Sequence, residues 1–160
     1  MPAGNTYEAI ATTTLGSAAS SVTFSSISAA YTDIVIVFNG SLSVGSGLTF
    51  QVNGATSGFS DTFLIGYGSS ASSGRDSNAT SSFFADIGTT NSTAILNFMN
   101  YSNTTTFKTV LSRGSAAGNG VSASVGLYRS TSAITEIKIL SPSGNITTGS
   151  TFSLYGIKAA

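Results

Sequence analysis

Residues 31–40, YTDIVIVFNG, contain the segment that decides the fold class of this chain. The centre of the stretch, residues 34–38, is apolar without a break, and β-branched residues dominate it. Such a segment is typical of a strand that is buried on both faces of a sheet. We therefore expect residues 34–38 to form a central strand of a β-sheet protein.

Around this segment, apolar residues alternate with small polar ones, which is the pattern of half-buried strands. Clear cases are residues 22–25, 48–53 and 136–139. Further strands are predicted at residues 7–14, 62–67, 81–87, 94–101, 106–112, 121–128, 134–140 and 151–157. Helical periodicity is nearly absent, so the chain is expected to form roughly ten strands.

Pairs of Asn and Gly predict turns between these strands, because both residues accept the positive φ that tight hairpins require. The pairs are residues 39–40, 53–54, 119–120 and 144–145. The predicted fold is all-β, an antiparallel β-sandwich of jelly-roll type, in one domain over residues 1–160 with a short N-terminal arm at 1–12. Residues 66–80, GYGSSASSGRDSNAT, lack an apolar period and are predicted to be an exposed loop.

The composition limits the partners that this chain can bind. Charged residues make up 8% of the chain, against about a quarter in ordinary domains, and the formal net charge is zero. A hydrophobic fraction of 41% predicts a folded chain rather than a disordered one. The charge balance gives no electrostatic basis for binding nucleic acid or an anionic membrane, and we expect neither partner. It does favour association between copies.

The sequence also contains few of the residues that catalysis usually requires. Serine and threonine are abundant, but there is no His to activate a hydroxyl, and Lys138 alternates with apolar residues as on a solvated strand face. Six acids stand far apart, so no pair suits glycoside hydrolysis and no cluster suits calcium. We predict no catalytic residue, no metal site, no cofactor and no enzymatic activity. A glycan-cleaving enzyme would need two close acids in a cleft.

A set of polar and aromatic residues remains as candidates for contact with another protein. Arginines can pair with carboxylates across an interface, although a solvated surface is the simpler interpretation. The N-terminal arm is the first choice, because an ordered arm needs a surface to lie on. The candidate interface residues are Pro2, Asn5, Tyr7, Tyr67, Arg75, Asp76, Arg113 and Arg129.

Six segments that span nearly the whole chain carry a resemblance. They are YEAIATTTLGSAASSVTFSSI, YTDIVIVFNG, FLIGYGSSASSGRDSN, MNYSNTTTFKTVLSRG, VGLYRSTSAIT and GSTFSLYGIKAA. Together they resemble a family of small virion structural proteins of tailed bacteriophages, cyanophages among them. The resemblance implies a virion component and carries over no functional residue.

Two roles are open within that family. One is a capsid decoration, or cement, protein on the exterior of the virion, which is assembled in the host cytoplasm and binds the major capsid protein. The other is a receptor- or glycan-binding module of a tail or fibre. We expect the decoration role, since a fibre normally needs a long shaft. By analogy with other cement proteins, the resemblance implies a homo-oligomer, with a trimer favoured.

Overall fold

The computed structural model describes residues 6–116, 118 and 120–158. Those residues form twelve strands and no helix. The strands are β1 (Tyr7–Thr14), β2 (Ser21–Phe24), β3 (Asp33–Gly40), β4 (Leu48–Val52), β5 (Phe59–Tyr67), β6 (Ser70–Ala79), β7 (Ser82–Ala85), β8 (Ser92–Phe98), β9 (Lys108–Ala116), β10 (Gly120–Tyr128), β11 (Ile137–Leu140) and β12 (Thr151–Ile157). No helix in this part of the chain could cross a membrane.

The strands build two antiparallel sheets of unequal size. The large sheet has eight strands in the order β1-β12-β3-β8-β9-β10-β5-β6, and the small sheet has four in the order β2-β11-β4-β7. The predicted antiparallel β-sandwich is confirmed. The jelly-roll type is not confirmed, since an eight-stranded sheet opposite a four-stranded one is not the pair of Greek keys that defines it.

Residues 34–38 form the predicted interior strand. They lie in β3, which pairs with β12 on one side and β8 on the other. Ile34, Ile36 and Phe38 point into the core, and Val35 is also buried although it points to the opposite side of the sheet. Burial on both sides explains why the alternation disappears in this strand.

The core between the sheets is built largely from aromatic and aliphatic side chains. Phe38 packs against Phe152 with ring centroids 4.9 Å apart, and Phe50 meets Phe98 edge-on at 5.2 Å. Aromatic pairs in such geometries add to the stabilisation that burial alone provides. This part of the interior therefore follows the ordinary rule that large apolar side chains turn inward.

The structure confirms one of the predicted turns and contradicts another. Asn53 and Gly54 have φ angles of 51° and 67°, the two positive values that a type I′ turn requires, so this turn is confirmed. Residues 39–40 lie inside β3, and the turn predicted there is wrong. The pair 119–120 includes Asn119, which lies outside the described residues.

The predicted loop at residues 66–80 is also wrong. Most of it is β6, a ten-residue strand at the edge of the large sheet, paired along its length with β5. Gly74 lies directly opposite Phe63, and a Cβ at Gly74 would be 2.2 Å from the ring carbon Cζ. The absence of a side chain lets the Phe63 ring lie over the edge strand, which helps to hold it. Almost every residue of β6 is exposed, which is why its sequence has no apolar period.

Candidate interaction surface

Strand β10 places its side chains in the reverse of the usual arrangement. Val121 and Val125 are 64% and 53% exposed, whereas Ser122 and Ser124, which alternate with them, are each 5% exposed. A half-buried strand normally turns its aliphatic residues inward. In β10 the small polar residues line the interior and the valines face outward.

The neighbouring strands β5 and β9 also turn a leucine outward, although each keeps apolar residues such as Ile65 and Val110 on its inner side. Leu111 of β9 lies opposite Val125, and Leu64 of β5 lies opposite Ala123, which stands between the two valines of β10. Both leucines are exposed. Four large aliphatic side chains therefore form one continuous patch on the outward side of β9, β10, β5 and β6, which we call the open face.

Strand β7 explains why the inner side of β10 is small and polar. It is an edge strand of the small sheet and lies close to the large one, so that a Cβ at Gly114 would be 2.7 Å from Cβ of Ala85. A Cβ at Gly126 would be 2.8 Å from Oγ of Ser82. The gap between the sheets is too narrow here for Val or Leu.

Polar side chains of the large sheet accept hydrogen bonds from backbone amides of this edge strand and of the residue that follows it. The amide of Phe83 donates to Oδ2 of Asp61 at 2.8 Å, and the amide of Asp86 donates to Oγ of Ser122 at 3.0 Å. Ser82 also donates to Oδ2 of Asp61 at 3.0 Å. An edge strand has amides that no neighbouring strand can pair, and side chains supply the acceptors here.

Burial is the main reason that the pKa of Asp61 is raised, and the hydrogen bonds from Phe83 and Ser82 oppose the shift. Oδ1 of Asp61 has no hydrogen-bond partner among the described residues, and the same is true of Oγ in Ser112 and Ser124. These three oxygens are buried in the same part of the sandwich. The interior beneath the open face therefore contains polar groups that are incompletely paired.

All three arginines of the chain lie on the open face or at its margin. Arg113 points outward from β9, beside Ala123, and Arg75 points outward from β6, opposite Thr62. Arg129 follows β10, where its Nη1 donates to Oγ of Ser60 at 2.7 Å. By register, the outward residues of these four strands include no Asp or Glu. The open face is thus aliphatic and cationic.

Two depressions lie on this side of the large sheet. One, of about 380 Å³, is lined mainly by the apolar atoms of residues that include Ile95, Arg113 and Val121. The other, of about 270 Å³, is polar, and its lining includes Asn39, Thr93 and Thr151. Oγ1 of Thr93 donates to Oδ1 of Asn39 at 2.8 Å, which fixes the orientation of that amide.

The remaining predicted interface residues do not join the arginines. Tyr7 is exposed at the far edge of the large sheet, where its ring meets Tyr155 edge-on. Tyr67 hydrogen-bonds Asp86. The pKa of Tyr67 is raised to about 12, mainly by burial and secondly by the Asp86 carboxylate. Pro2 and Asn5 lie outside the described residues, whereas residues 7–12 of the predicted arm belong to β1, paired with β12.

Asp76 lies on the opposite side of β6 from Arg75 and is directly across from Asp61. The sequence spacing gave no sign of this carboxylate pair. Cross-strand neighbours stand about 5 Å apart at Cβ, which is within reach for paired acids. Asp61, however, is buried and occupied by the backbone of β7, and other residues line the two depressions. The contacts favour a structural role for Asp61.

Within the described ranges, no group of three or more metal-ligating residues comes together. No family model matches the chain, and no curated protein matches it. Among solved structures, a galectin, LEC-6, of Caenorhabditis elegans is 10% identical, with a TM-score of 0.34, over 86% of this chain and 90% of the galectin. A protein of unknown function from Shewanella oneidensis MR-1 is 11% identical, with a TM-score of 0.28, over all of this chain and 82% of that one.

Sequence reasoning selected the arginines but missed the aliphatic half of the open face. Val121 and Val125 alternate with small and polar residues, as core residues do, whereas Leu64 and Leu111 have apolar neighbours in the sequence. The period of a strand is the same whichever side is buried. One signal was available, because the residues that alternate with the valines of β10 are Ser and Gly, which can fit a narrow space between sheets.

Proposed function

We propose that this chain is a non-catalytic structural protein of a tailed-phage virion, and that it decorates the capsid and binds the major capsid protein. The observation that carries the binding role is the inversion of β10, which leaves Val121 and Val125 in solvent. Contiguous exposed aliphatic patches are uncommon on soluble monomers and mark interaction sites. The virion assignment is supported by the resemblance of the six sequence segments.

In this role the sandwich is a rigid block that adds contact area between neighbouring capsid subunits. Interfaces of long-lived assemblies are larger and contain less charge than transient ones, which suits a chain with 8% charged residues. The proposed assembly is a homotrimer on the capsid exterior, formed in the host cytoplasm. No reaction, metal or cofactor enters this proposal.

The decoration role is tested on purified phage particles. We expect the chain to be present in them in many copies, and an antibody label to mark the head in electron micrographs. Particles assembled without the chain should release their DNA at a lower temperature. Equal heat stability of the two kinds of particle would count against cementing, and a label confined to the tail would exclude decoration.

A receptor- or glycan-binding tail module is the second candidate, and the polar depression favours it. Asn39, Thr93 and Thr151 present amide and hydroxyl groups there, which can hydrogen-bond sugar hydroxyls. Binding of the labelled protein to host cells, lost in Asn39→Ala, would support this candidate. Residues 66–80 supply no binding loop for this role, because most of them form strand β6.

A further inference from the structure

We propose that the open face docks against a protein surface that presents carboxylates among aliphatic side chains. This inference rests on the proposed function and deepens it by naming the chemistry of the partner. Three observations carry it: the continuity of the aliphatic patch, the placement of the arginines, and the lack of acids on the outward side of the same strands.

The aliphatic patch has the form of an interface centre. Leu64, Val121 and Val125 surround Ala123, and Leu111 extends the patch to β9. The strands beneath them are interior strands of the large sheet, so the patch is held on a rigid support. The fully buried centres of protein interfaces are apolar, with polar groups at the rim.

The arginines surround this patch in the manner of a rim. Arg75 is three strands from Arg113, which corresponds to about 14 Å across the sheet. Arg129 is held in place by Ser60. A guanidinium can bind a carboxylate through two parallel hydrogen bonds and is the side chain best suited to ion pairs at interfaces. With no acid on this side of the four strands, the exposed guanidiniums are available to carboxylates of a partner.

The same features disfavour a second copy of the chain as the occupant. A two-fold pairing places the same patch on both sides of the interface. Six guanidiniums would then meet without a carboxylate from the paired faces, and opposed like charges weaken an interface. By register, the outward residues of these strands also include no aromatic ring on which a sugar could stack.

The chemistry of the partner is tested with three synthetic peptides and the full-length chain. The first peptide alternates Glu with Val, the second replaces Glu by Lys, and the third replaces Val by Ser. We expect the Glu-Val peptide to bind at least about tenfold more tightly than the other two at low salt, with affinity falling as salt is added. Equal binding of the Lys-Val peptide would overturn the proposal.

Variants on the open face locate the binding. Arg113→Ser and Val125→Ser should each weaken binding of the Glu-Val peptide about tenfold, because the first removes a guanidinium beside the patch and the second removes an aliphatic contact at its centre. Lys138→Ser is the charge control on the small sheet, and Val44→Ser is the apolar control, since Val44 is 51% exposed and lies outside the face. Circular dichroism checks that each variant folds. Equal losses in the controls, or no loss in the two variants, would overturn the proposal.

Rebinding to capsids stripped of the chain separates this inference from the decoration role. Rebinding that is lost in Arg113→Ser and retained in Lys138→Ser supports both. If neither open-face variant weakens rebinding, the inference is wrong, but the decoration role is still supported. If the wild-type chain does not rebind to capsids but still prefers the Glu-Val peptide, the decoration role is rejected and the inferred chemistry of the partner is supported. Self-association that Val125→Ser abolishes would identify a second copy as the occupant and overturn the inference.

Discussion

Strands β3 and β10 belong to the same sheet, but they use their apolar residues in different ways. In β3 the large side chains Ile34, Ile36 and Phe38 fill the core, and the side chains between them are also largely covered. In β10 the interior receives Ser122 and Ser124, and the valines face solvent. The difference shows that the width of the space beneath a strand decides which side chains turn inward.

The largest expected effect contrasts large apolar residues on the two strands. Phe38→Ala should lower the free energy of unfolding by about 3–5 kcal/mol, because it leaves a cavity in a packed core. Val125→Ala should change it by less than about 0.5 kcal/mol, since Val125 contacts mainly solvent. Urea denaturation of the two variants measures the contrast. Comparable losses would show that the open face is part of the folded core.

A second prediction fills the narrow space beneath β10. Gly114→Ala places a Cβ 2.7 Å from Cβ of Ala85 and 3.2 Å from Cβ of Ala94. Overpacking of this kind should cost about 1–3 kcal/mol, since both neighbours belong to strands. Ser115→Ala, on the outward side of the same strand, is the control and should be nearly neutral. The loss is read from the midpoint of thermal unfolding, and a neutral Gly114→Ala would contradict the close approach of β7.

A third prediction separates two buried serines of β10. Ser122→Ala removes the acceptor of the Asp86 amide and should cost about 1–2 kcal/mol, because a buried donor is left unpaired. Ser124→Ala removes an oxygen that already lacks a partner, and it should be neutral or slightly stabilising. Chemical denaturation of the matched pair gives both values. If Ser124→Ala is the more damaging change, the Ser124 hydroxyl must form a stabilising hydrogen bond in solution, contrary to this prediction.

The smallest effect is on pH dependence and concerns the carboxylate under β7. Burial raises the pKa of Asp61 above its ordinary 3.8, so the folded chain holds that proton more tightly than the unfolded chain. The contribution of Asp61 to stability is therefore greatest below pH 3.8 and declines as the pH rises through the raised folded pKa. Asp61→Asn should remove this decline, which a series of unfolding curves from pH 3 upward would detect. An unchanged pH profile would mean that Asp61 does not titrate in this window.

Much of the fold could be predicted from alternation alone. The bounds of β1 and β12 agree with the predicted strands, because period-two patterns report directly on a pleated chain with two faces. Strand β6 was missed because it lies at an edge with both faces in solvent, so that nothing in its composition had to alternate. Its position depends on Phe63, which reaches over Gly74 from the neighbouring strand.

The candidate surface was predictable only in part. Arg75, Arg113 and Arg129 could be selected by charge, since the chain has few charged residues, but they are far apart in sequence and only strand order brings them to one side. The pairing of Asp61 with Asp76 has the same origin, because a hairpin register places them opposite one another. Spacing along the chain carries no information on either arrangement.

The sequence by itself determined that the chain forms many short antiparallel strands, since alternation and turn residues act over a few neighbouring positions. Only the tertiary structure decided which side of each strand is buried. The small sheet has four strands and the large sheet eight, so the small sheet does not cover all strands of the large sheet equally. Where β7 lies close, Ser and Gly of β10 fit inside, and its valines are left on the outer side.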